Sequence, residues 1–494
     1  MLTDQHVQIP SLDIKEVGVV KDVKHGIVRA GGLPSCIYGQ LVELRDGLKG
    51  MVIGFNPSDV SIIALGDERR INVGDSVFSQ SELLSVPVGE GFIGRAVSCL
   101  GQPLDGQGPI TAGDRYSVFR QGAGVMDREP LTEPFLTGVK MLDLVIPIGK
   151  GQRELILGDR QTGKTSLALD ALLNQNGKDV ICIYCWIGGS LEAFKKIIHV
   201  LAQRNTFSYT IAVCAFSDHS PAEQYLCPYT AAALGEYFMS HGRDALVVFD
   251  DLTKHAWAYR QMSLLMERAP GREAYPGDIF YVHSQLMERA GRLKAELGGG
   301  TMTFLPIVET LQGDVTGYIQ SNLVSMTDGQ IYLNAALFRE GFRPAIDMGL
   351  SVSRVGSKVQ CPAVRELGGG LRLAYTQYRE MLRMTKLRTR LSEEAMERLR
   401  RGEALRELLV QEQARPLSLA EVIVLFYAFK RKILEVLSTD EIRRFKQAFF
   451  PFLSTRHPEL IERLEREQAL TQDIKGALNQ AFLEYFQMAK EAVA

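Results

Sequence analysis

Between residues 15 and 85 the chain sets short β-branched runs between turn signals at His25-Gly26, Gly31-Gly32, Asp46-Gly47, Asn56-Pro57, Gly66-Asp67 and Gly74-Asp75. Gly, Asn, Asp and Pro supply the backbone angles that tight turns need, so runs this short predict a small antiparallel barrel or sandwich. Past Pro87 the texture changes. From residue 149 to about 354, apolar runs at 154–157, 180–184, 210–214, 245–249 and 303–308 alternate with helical stretches. Strands covered by helices on both faces need no polar side, so the pattern predicts βα units around a parallel sheet. After Gly370 the strand signals stop. Leu405, Leu408 and Leu409 fall on one helical face, as do Ile474, Leu478, Phe482, Tyr485 and Phe486, which predicts a helical C-terminal domain. The expected division is 1–85, 86–365 and 366–494.

Composition narrows the class. The 494 residues are 46% apolar and 23% charged, and 56 Lys and Arg nearly cancel 58 Asp and Glu to leave a formal charge of −2. This suits a globular chain and argues against a nucleic-acid binder that relies on basic charge. The longest apolar runs, such as 422–429, fall far short of the ~20 residues a spanning helix needs. The opening segment MLTDQHVQIPSLD lacks a basic-then-apolar signal, so a soluble chain without signal or transit peptide is expected. Cys36, Cys99, Cys182, Cys185, Cys214, Cys227 and Cys361 form an odd, scattered set, expected to be reduced. Cys182 and Cys185 lie in an apolar run and read as buried thiols. His219, His241, His255 and His283 lack metal-binding spacing and read as hydrogen-bonded scaffold residues. Gly298-Gly-Gly300 reads as a flexible connector.

The chemistry concentrates at Gly158-Asp159-Arg160-Gln161-Thr162-Gly163-Lys164-Thr165, a G-x-x-x-x-G-K-T loop between an apolar strand and a helical run. A chance match in a chain of this length is on the order of one in a hundred. Such a loop turns backbone N–H groups onto phosphate oxygens, Lys164 neutralises the β/γ region, and Thr165 ligates Mg²⁺. The run 245–249 ends in Asp250-Asp251. A carboxylate there, beside the loop, can hold Mg²⁺ through water. The strand from 181 runs into Gly188-Gly189-Ser190, so Gly189 fills the position where related ATPases carry a glutamate, and Glu192 is out of register. The site is expected to bind Mg-ATP far better than it hydrolyses it.

Ser351-Val-Ser-Arg354-Val-Gly356 sets one arginine among small residues. This segment, the phosphate loop, Ala258-Tyr-Arg-Gln-Met262, Pro270-Gly-Arg-Glu-Ala-Tyr-Pro-Gly-Asp278, Thr327-Asp-Gly-Gln330 and Arg343-Pro-Ala345 together closely resemble the alpha subunit of F-type ATP synthases. The resemblance runs in order from about Val17 to the C-terminal helices. It implies a β-barrel crown, a RecA-like P-loop domain and a helical base. It further implies an alternating 3:3 ring with beta subunits, a gamma-type central stalk, a delta-type peripheral stalk, and attachment through the complex to a membrane sector on the cytoplasmic face of a bacterial membrane. In that family alpha holds ATP or ADP with Mg²⁺ at a non-catalytic site. Carried over, Arg354 is an arginine finger for the neighbouring beta site, Ser351 its companion, and Asp250 the Walker B carboxylate with Thr165. The adenine pocket would use Arg160, Gln161, Phe338, Arg343, Pro344, Gln411 and Gln413.

Three departures stand out. Gly189-Ser190 replaces a family Gln-Lys pair, which implies an altered nucleotide affinity. The shorter N-terminus, with Pro10, implies a reduced or differently docked peripheral-stalk helix. Lys386-Leu-Arg-Thr-Arg390 is basic where rotor-facing turns are often acidic. Together they suggest a divergent or second-copy subunit. The competing readings are a homo-hexameric RecA-like motor, Rho-like or secretion-associated, and a structural ring subunit with a vestigial nucleotide site. A homo-hexamer needs a complete catalytic site in one chain, which Gly189 opposes.

Overall fold

A computed structural model describes residues 15–24, 26–385 and 393–491. The opening segment with Pro10, His25 and the basic run 386–390 lie outside the described residues. Six strands, Val17–Lys24, Ile27–Gly31, Gln40–Glu43, Lys49–Phe55, Val60–Leu65 and Ser76–Leu83, close into a barrel in the order first, second, fifth, fourth, third, sixth. Closure comes from the first and last strands, where Val17 pairs with Phe78 and Val19 with Ser76. Val60–Leu65 is buried along its whole length because both faces are used. Val60, Ile62 and Ala64 fill the barrel, whereas Ile63 and Leu65 join the core of the next domain. The barrel is thereby seated by apolar contact, worth roughly 25 cal/mol per Å² buried.

The central sheet runs Val352–Ser353, Gly329–Leu333, Leu155–Gly158, Thr301–Glu309, Asp244–Asp250, Val180–Gly189, Thr210–Phe216 and Ala96–Ser98. Along this order every pairing from Gly329–Leu333 to Ala96–Ser98 is parallel, while Val352–Ser353 at the edge and Gly291–Arg292, which pairs with Thr301–Glu309 off this path, are antiparallel. All five apolar runs read from the sequence are strands here. Parallel order brings the carboxyl ends of Leu155–Gly158, Val180–Gly189, Asp244–Asp250 and Thr301–Glu309 to one edge, where ligands bind in such sheets. The longest central helix, Pro221–Ser240, starts at a Ser220/Glu223 capping box and is buried on most sides. Its Glu236 takes two hydrogen bonds from the fully buried Arg289, at 2.7 and 2.9 Å.

Two details differ from expectation. The strand from Val180 continues to Gly189, and Ser190 caps the helix Leu191–Gln203. Gly298–Gly300 is a close-packed turn: a Cβ at Gly298 or Gly300 would lie 2.2–2.4 Å from the backbone of Ser240 or Met239. Backbone approach, not slack, accounts for these glycines.

The last domain comprises helices Leu371–Thr385, Glu393–Leu409, Leu419–Lys430, Thr439–Arg456, Pro458–Glu467 and Gln472–Glu491. Leu405, Leu408, Leu409, Ile474, Leu478 and Phe482 are buried as their spacing predicts, with Tyr485 and Phe486 packed against them. The apolar run 422–429 is a helix buried all round, and among the described residues no helix is long and apolar enough to cross a membrane. Cys182 and Cys185 are buried on a central strand, and the Cys185 and Cys227 sulfurs are 3.6 Å apart. His241 and His283 are hydrogen-bonded, whereas His255 instead stacks face to face on Tyr225, with centroids 5.3 Å apart.

Candidate functional site

The loop after Leu155–Gly158 turns into the helix Lys164–Leu173 through Gly163, whose φ of 97° favours glycine. The helix N-terminus and the loop amides face a cavity of about 850 Å³. Arg160, Gln161, Thr162, Gly163, Lys164, Thr165, Asp250, Phe338, Arg343, Pro344, Gln411 and Gln413 all line it. Gly158 and Asp159 do not; they support the loop from behind. The Gly158 and Asp159 carbonyls accept from Lys164 Nζ at 2.9 and 2.7 Å, and the Asp159 carboxylate accepts from Thr310 Oγ1 and Gly313 N.

One end of the cavity is built for a flat ring. Arg343 lies over Phe338 at 4.6 Å from the ring centroid. Gln413 reaches Ser166 Oγ at 2.9 Å. The Gln411 amide is committed to backbone, accepting from Lys140 N and donating to the Gly138 and Arg415 carbonyls, so it shapes the wall instead of offering a free amide.

The opposite end is polar. Thr165 Oγ1 and Tyr184 OH both donate to Asp250 Oδ2, at 2.7 and 2.8 Å. Burial raises the Asp250 carboxyl above the usual range, partly offset by these two donors. One hydroxyl beside one carboxylate fits Mg²⁺, which keeps waters and shares phosphate oxygens. Among the described residues no cluster of three or more His, Cys, Asp or Glu forms an all-protein metal cage. Burial lowers the Lys164 ammonium, with Glu309, Asp251, Asp250 and Asp159 opposing the shift.

Sequence reasoning missed Trp186, Lys254 and Glu309, which also line the cavity, as does Asp251, read from the sequence only as the neighbour of Asp250. Strand register sets Trp186 beside Asp250. Lys254 Nζ lies 3.4 Å from Asp251 Oδ2 and 5.4 Å from the Trp186 ring centroid, and Glu309 accepts from Arg160 at 3.1 Å. A Cβ on Gly189 would sit 2.1 Å from Trp186 Cζ2, so the indole occupies the place a side chain at 189 would take. Glu192 is exposed and does not line the cavity.

Asp170 ties the loop helix to the helical domain by accepting from Ala414 N at 2.7 Å. Burial pushes its carboxyl up to about 6. A carboxyl raised on folding contributes stability below its unfolded value, and that contribution is lost as pH rises through about 6. Asp170→Asn should therefore flatten the melting temperature between pH 4 and 7 relative to the parent chain, removing a dependence of roughly 2 kcal/mol. Thermal denaturation against pH checks it; parallel curves would contradict it.

Arg354 does not line this cavity. It is exposed, and among the described residues its guanidinium makes no hydrogen bond or ion pair, its charge acting at longer range on the buried Glu154 carboxyl. Its backbone is pinned: Arg354 N donates to Asp328 O at 2.8 Å, Asp328 is held by a two-point ion pair from Arg153, and Ser353 Oγ donates to Pro147 O at 2.6 Å. Ser351 is fully buried, and its hydroxyl accepts from Tyr332 N at 2.9 Å. It holds the strand that presents Arg354 and does not reach the surface itself.

Barrel, parallel sheet with a phosphate loop, and helical base define a P-loop nucleotide-binding architecture. Models of the ATP synthase alpha/beta family match successive parts of the chain: the beta-barrel domain at 13–79, the nucleotide-binding domain at 138–353 and the C-terminal domain at 360–485. The chain belongs to the ATP synthase alpha/beta family, on its alpha-subunit side. It is 44% identical to the ATP synthase subunit alpha of Clostridium botulinum (strain Eklund 17B / Type B) over 468 residues, covering 95% of this chain and 93% of the relative. It is 44% identical to that of Petrotoga mobilis over 477 residues, covering 96% and 95%. The Clostridium acetobutylicum subunit alpha is likewise 44% identical over 474 residues, covering 96% and 94%.

Proposed function

We propose that this chain is the non-catalytic, nucleotide-holding alpha subunit of a rotary F-type ATP synthase and lends Arg354 to the catalytic site of an adjoining beta subunit. The supporting observation is a division within one chain. Its cavity can grip a nucleotide, yet every carboxylate lining it is engaged: Asp170 by Ala414 N, Asp250 by Thr165 and Tyr184, Asp251 by Lys254, Glu309 by Arg160 and Glu412 by Arg415. Position 189, where related ATPases carry a glutamate, is a glycine, so the side chain that would orient an attacking water, a need that phosphoryl transfer to water imposes, is missing. Arg354, meanwhile, is exposed and makes no ion pair among the described residues.

In this reading Arg160 to Thr165 cradle the phosphates with Gly158 and Asp159 supporting the loop from behind, Lys164 bridges the outer two, and Thr165 and Asp250 would hold Mg²⁺. That ion would neutralise phosphate charge when bound. Phe338, Arg343, Pro344 and Gln413 form the adenine end, with Gln411 shaping it. The chain alternates with beta in a 3:3 ring around a gamma-type stalk, meets a delta-type peripheral stalk, and is peripheral to a bacterial membrane through a sector that moves H⁺ or Na⁺. The purified chain should bind Mg-ATP with negligible hydrolysis, and turnover should appear on mixing with beta. Calorimetry and phosphate release measure both. Robust turnover by the chain alone would overturn the division of labour.

A further inference from the structure

Beneath the strand that leads to Arg354 lies a pair of buried polar side chains that no nucleotide contact explains. Gln152 and Glu154 are both fully buried, and neither lines the nucleotide cavity. The Gln152 amide is spent in three directions. Its oxygen accepts from Gly149 N at 2.8 Å, and its nitrogen donates to Glu154 Oε2 at 2.7 Å and to Ser353 Oγ at 3.1 Å. Ser353, the residue before Arg354, donates in turn to Pro147 O at 2.6 Å and accepts from Gly356 N at 3.3 Å. Opposite Ser353 in the sheet stands Gly329, where a Cβ would fall 2.3 Å from Glu154 Oε2, so the missing side chain leaves room for the carboxyl. Glu154 Oε1 has no hydrogen-bond partner among the described residues. A buried polar atom left unpaired costs about 1–3 kcal/mol, so a carboxyl kept here instead of an apolar group calls for a task.

The two ends of this hydrogen-bonded chain indicate that task. Pro147 and Gly149 belong to the segment that leads into the central sheet, whereas Ser353 and Gly356 bracket Arg354. We infer that Gln152 and Glu154 are positioning residues for Arg354, fixing the point from which its guanidinium reaches an adjoining subunit. Glu154 orients the Gln152 amide, Gln152 holds the Ser353 hydroxyl, and that hydroxyl holds the turn after Arg354 through Gly356 N. Burial raises the Glu154 carboxyl well above the usual range, with Asp328 adding to the shift and the Gln152 hydrogen bond and Arg354 opposing it. A neutral carboxyl still accepts from Gln152, but it does not draw the guanidinium inward as a buried anion would. The inference rests on the reading of Arg354 as a group lent to a neighbour.

Steady-state hydrolysis by a ring reconstituted with beta, with each variant made alone and together with Arg354→Ala, tests it. Gln152→Leu and Glu154→Leu should each lower turnover about tenfold or more, the scale on which a displaced catalytic group loses rate. Ser353→Ala, a milder change at a half-buried site, should act in the same direction. In the Arg354→Ala background each should add less than about twofold, because the group they position is gone. Glu154→Gln, a neutral acceptor of the same shape, should restore most of the turnover lost in Glu154→Leu. Calorimetry on each variant chain alone should find Mg-ATP affinity within about twofold of the parent, which reports that the cavity is folded. Parent-like turnover in the leucine variants would overturn the positioning role, and so would losses that persist undiminished in the Arg354→Ala background, which mark general damage to the fold. A Glu154→Gln ring as slow as the leucine one would remove Glu154 from the role. If a leucine variant does not fold, Ser353→Ala decides by the same comparison. Near-normal turnover in Arg354→Ala itself would defeat the arginine reading, and the positioning role with it.

Discussion

Replacing Arg354 with alanine in the assembled ring should lower turnover by about 10³ or more, the effect typical of an arginine that stabilises charge on a transferring phosphoryl group. Nucleotide binding to the chain's own cavity should persist, because Arg354 does not line it. The fold should survive as well. The guanidinium is exposed, and the segment's order comes from backbone and neighbours: Arg354 N on Asp328 O, Ser353 on Pro147 O and Ser351 on Tyr332 N. Surface changes of this kind shift stability by about 0.5 kcal/mol or less. Arg354→Lys should rescue little, since an ammonium cannot present the planar fork that meets two phosphate oxygens. Steady-state hydrolysis by a ring reconstituted with beta, beside calorimetry on the variant alone, separates the effects. Near-normal turnover in the alanine variant would remove Arg354 from the mechanism.

What the sequence disclosed depends on how local the chemistry is. The phosphate loop is contiguous, with strand, turn and helix in one stretch, so its position at the cavity was legible, though not that Gly158 and Asp159 stand behind it. Asp250 was legible because a carboxylate ending an apolar run needs no partner to be noticed. Phe338, Arg343, Pro344, Gln411 and Gln413 have no local signature and came only through resemblance. Trp186 and Lys254 were hidden for a different reason. A tryptophan inside an apolar run reads as core, and parallel pairing of Trp186 with Asp250 is a long-range fact. One signal was available: a large aromatic three positions before a glycine that departs from the family pattern. The structure shows the two to be complementary, ring against missing side chain. The choice between barrel and sandwich was likewise undecidable from short strands, because it turns on Val17 meeting Phe78 across the whole domain.

The second large effect concerns Lys164. In Lys164→Ala the chain should lose Mg-ATP and Mg-ADP affinity together, by about 10² or more, since a charge-assisted donor to the phosphates is removed. Its stability without nucleotide should hold or rise. Lys164 is 7% exposed, its ammonium faces two carbonyl oxygens with no carboxylate in hydrogen-bond contact, and burial lowers its affinity for its proton. A buried cation so placed costs desolvation that alanine does not. Differential scanning calorimetry gives both halves at once. At 100 times its dissociation constant a nucleotide should add about 2.7 kcal/mol to the parent chain, and the variant should show no such shift from an equal or higher starting temperature. A variant that still responds to nucleotide would mean the ligand sits elsewhere. One that melts well below the parent would mean Lys164 is a structural strut, a role its carbonyl contacts alone are too weak to fill.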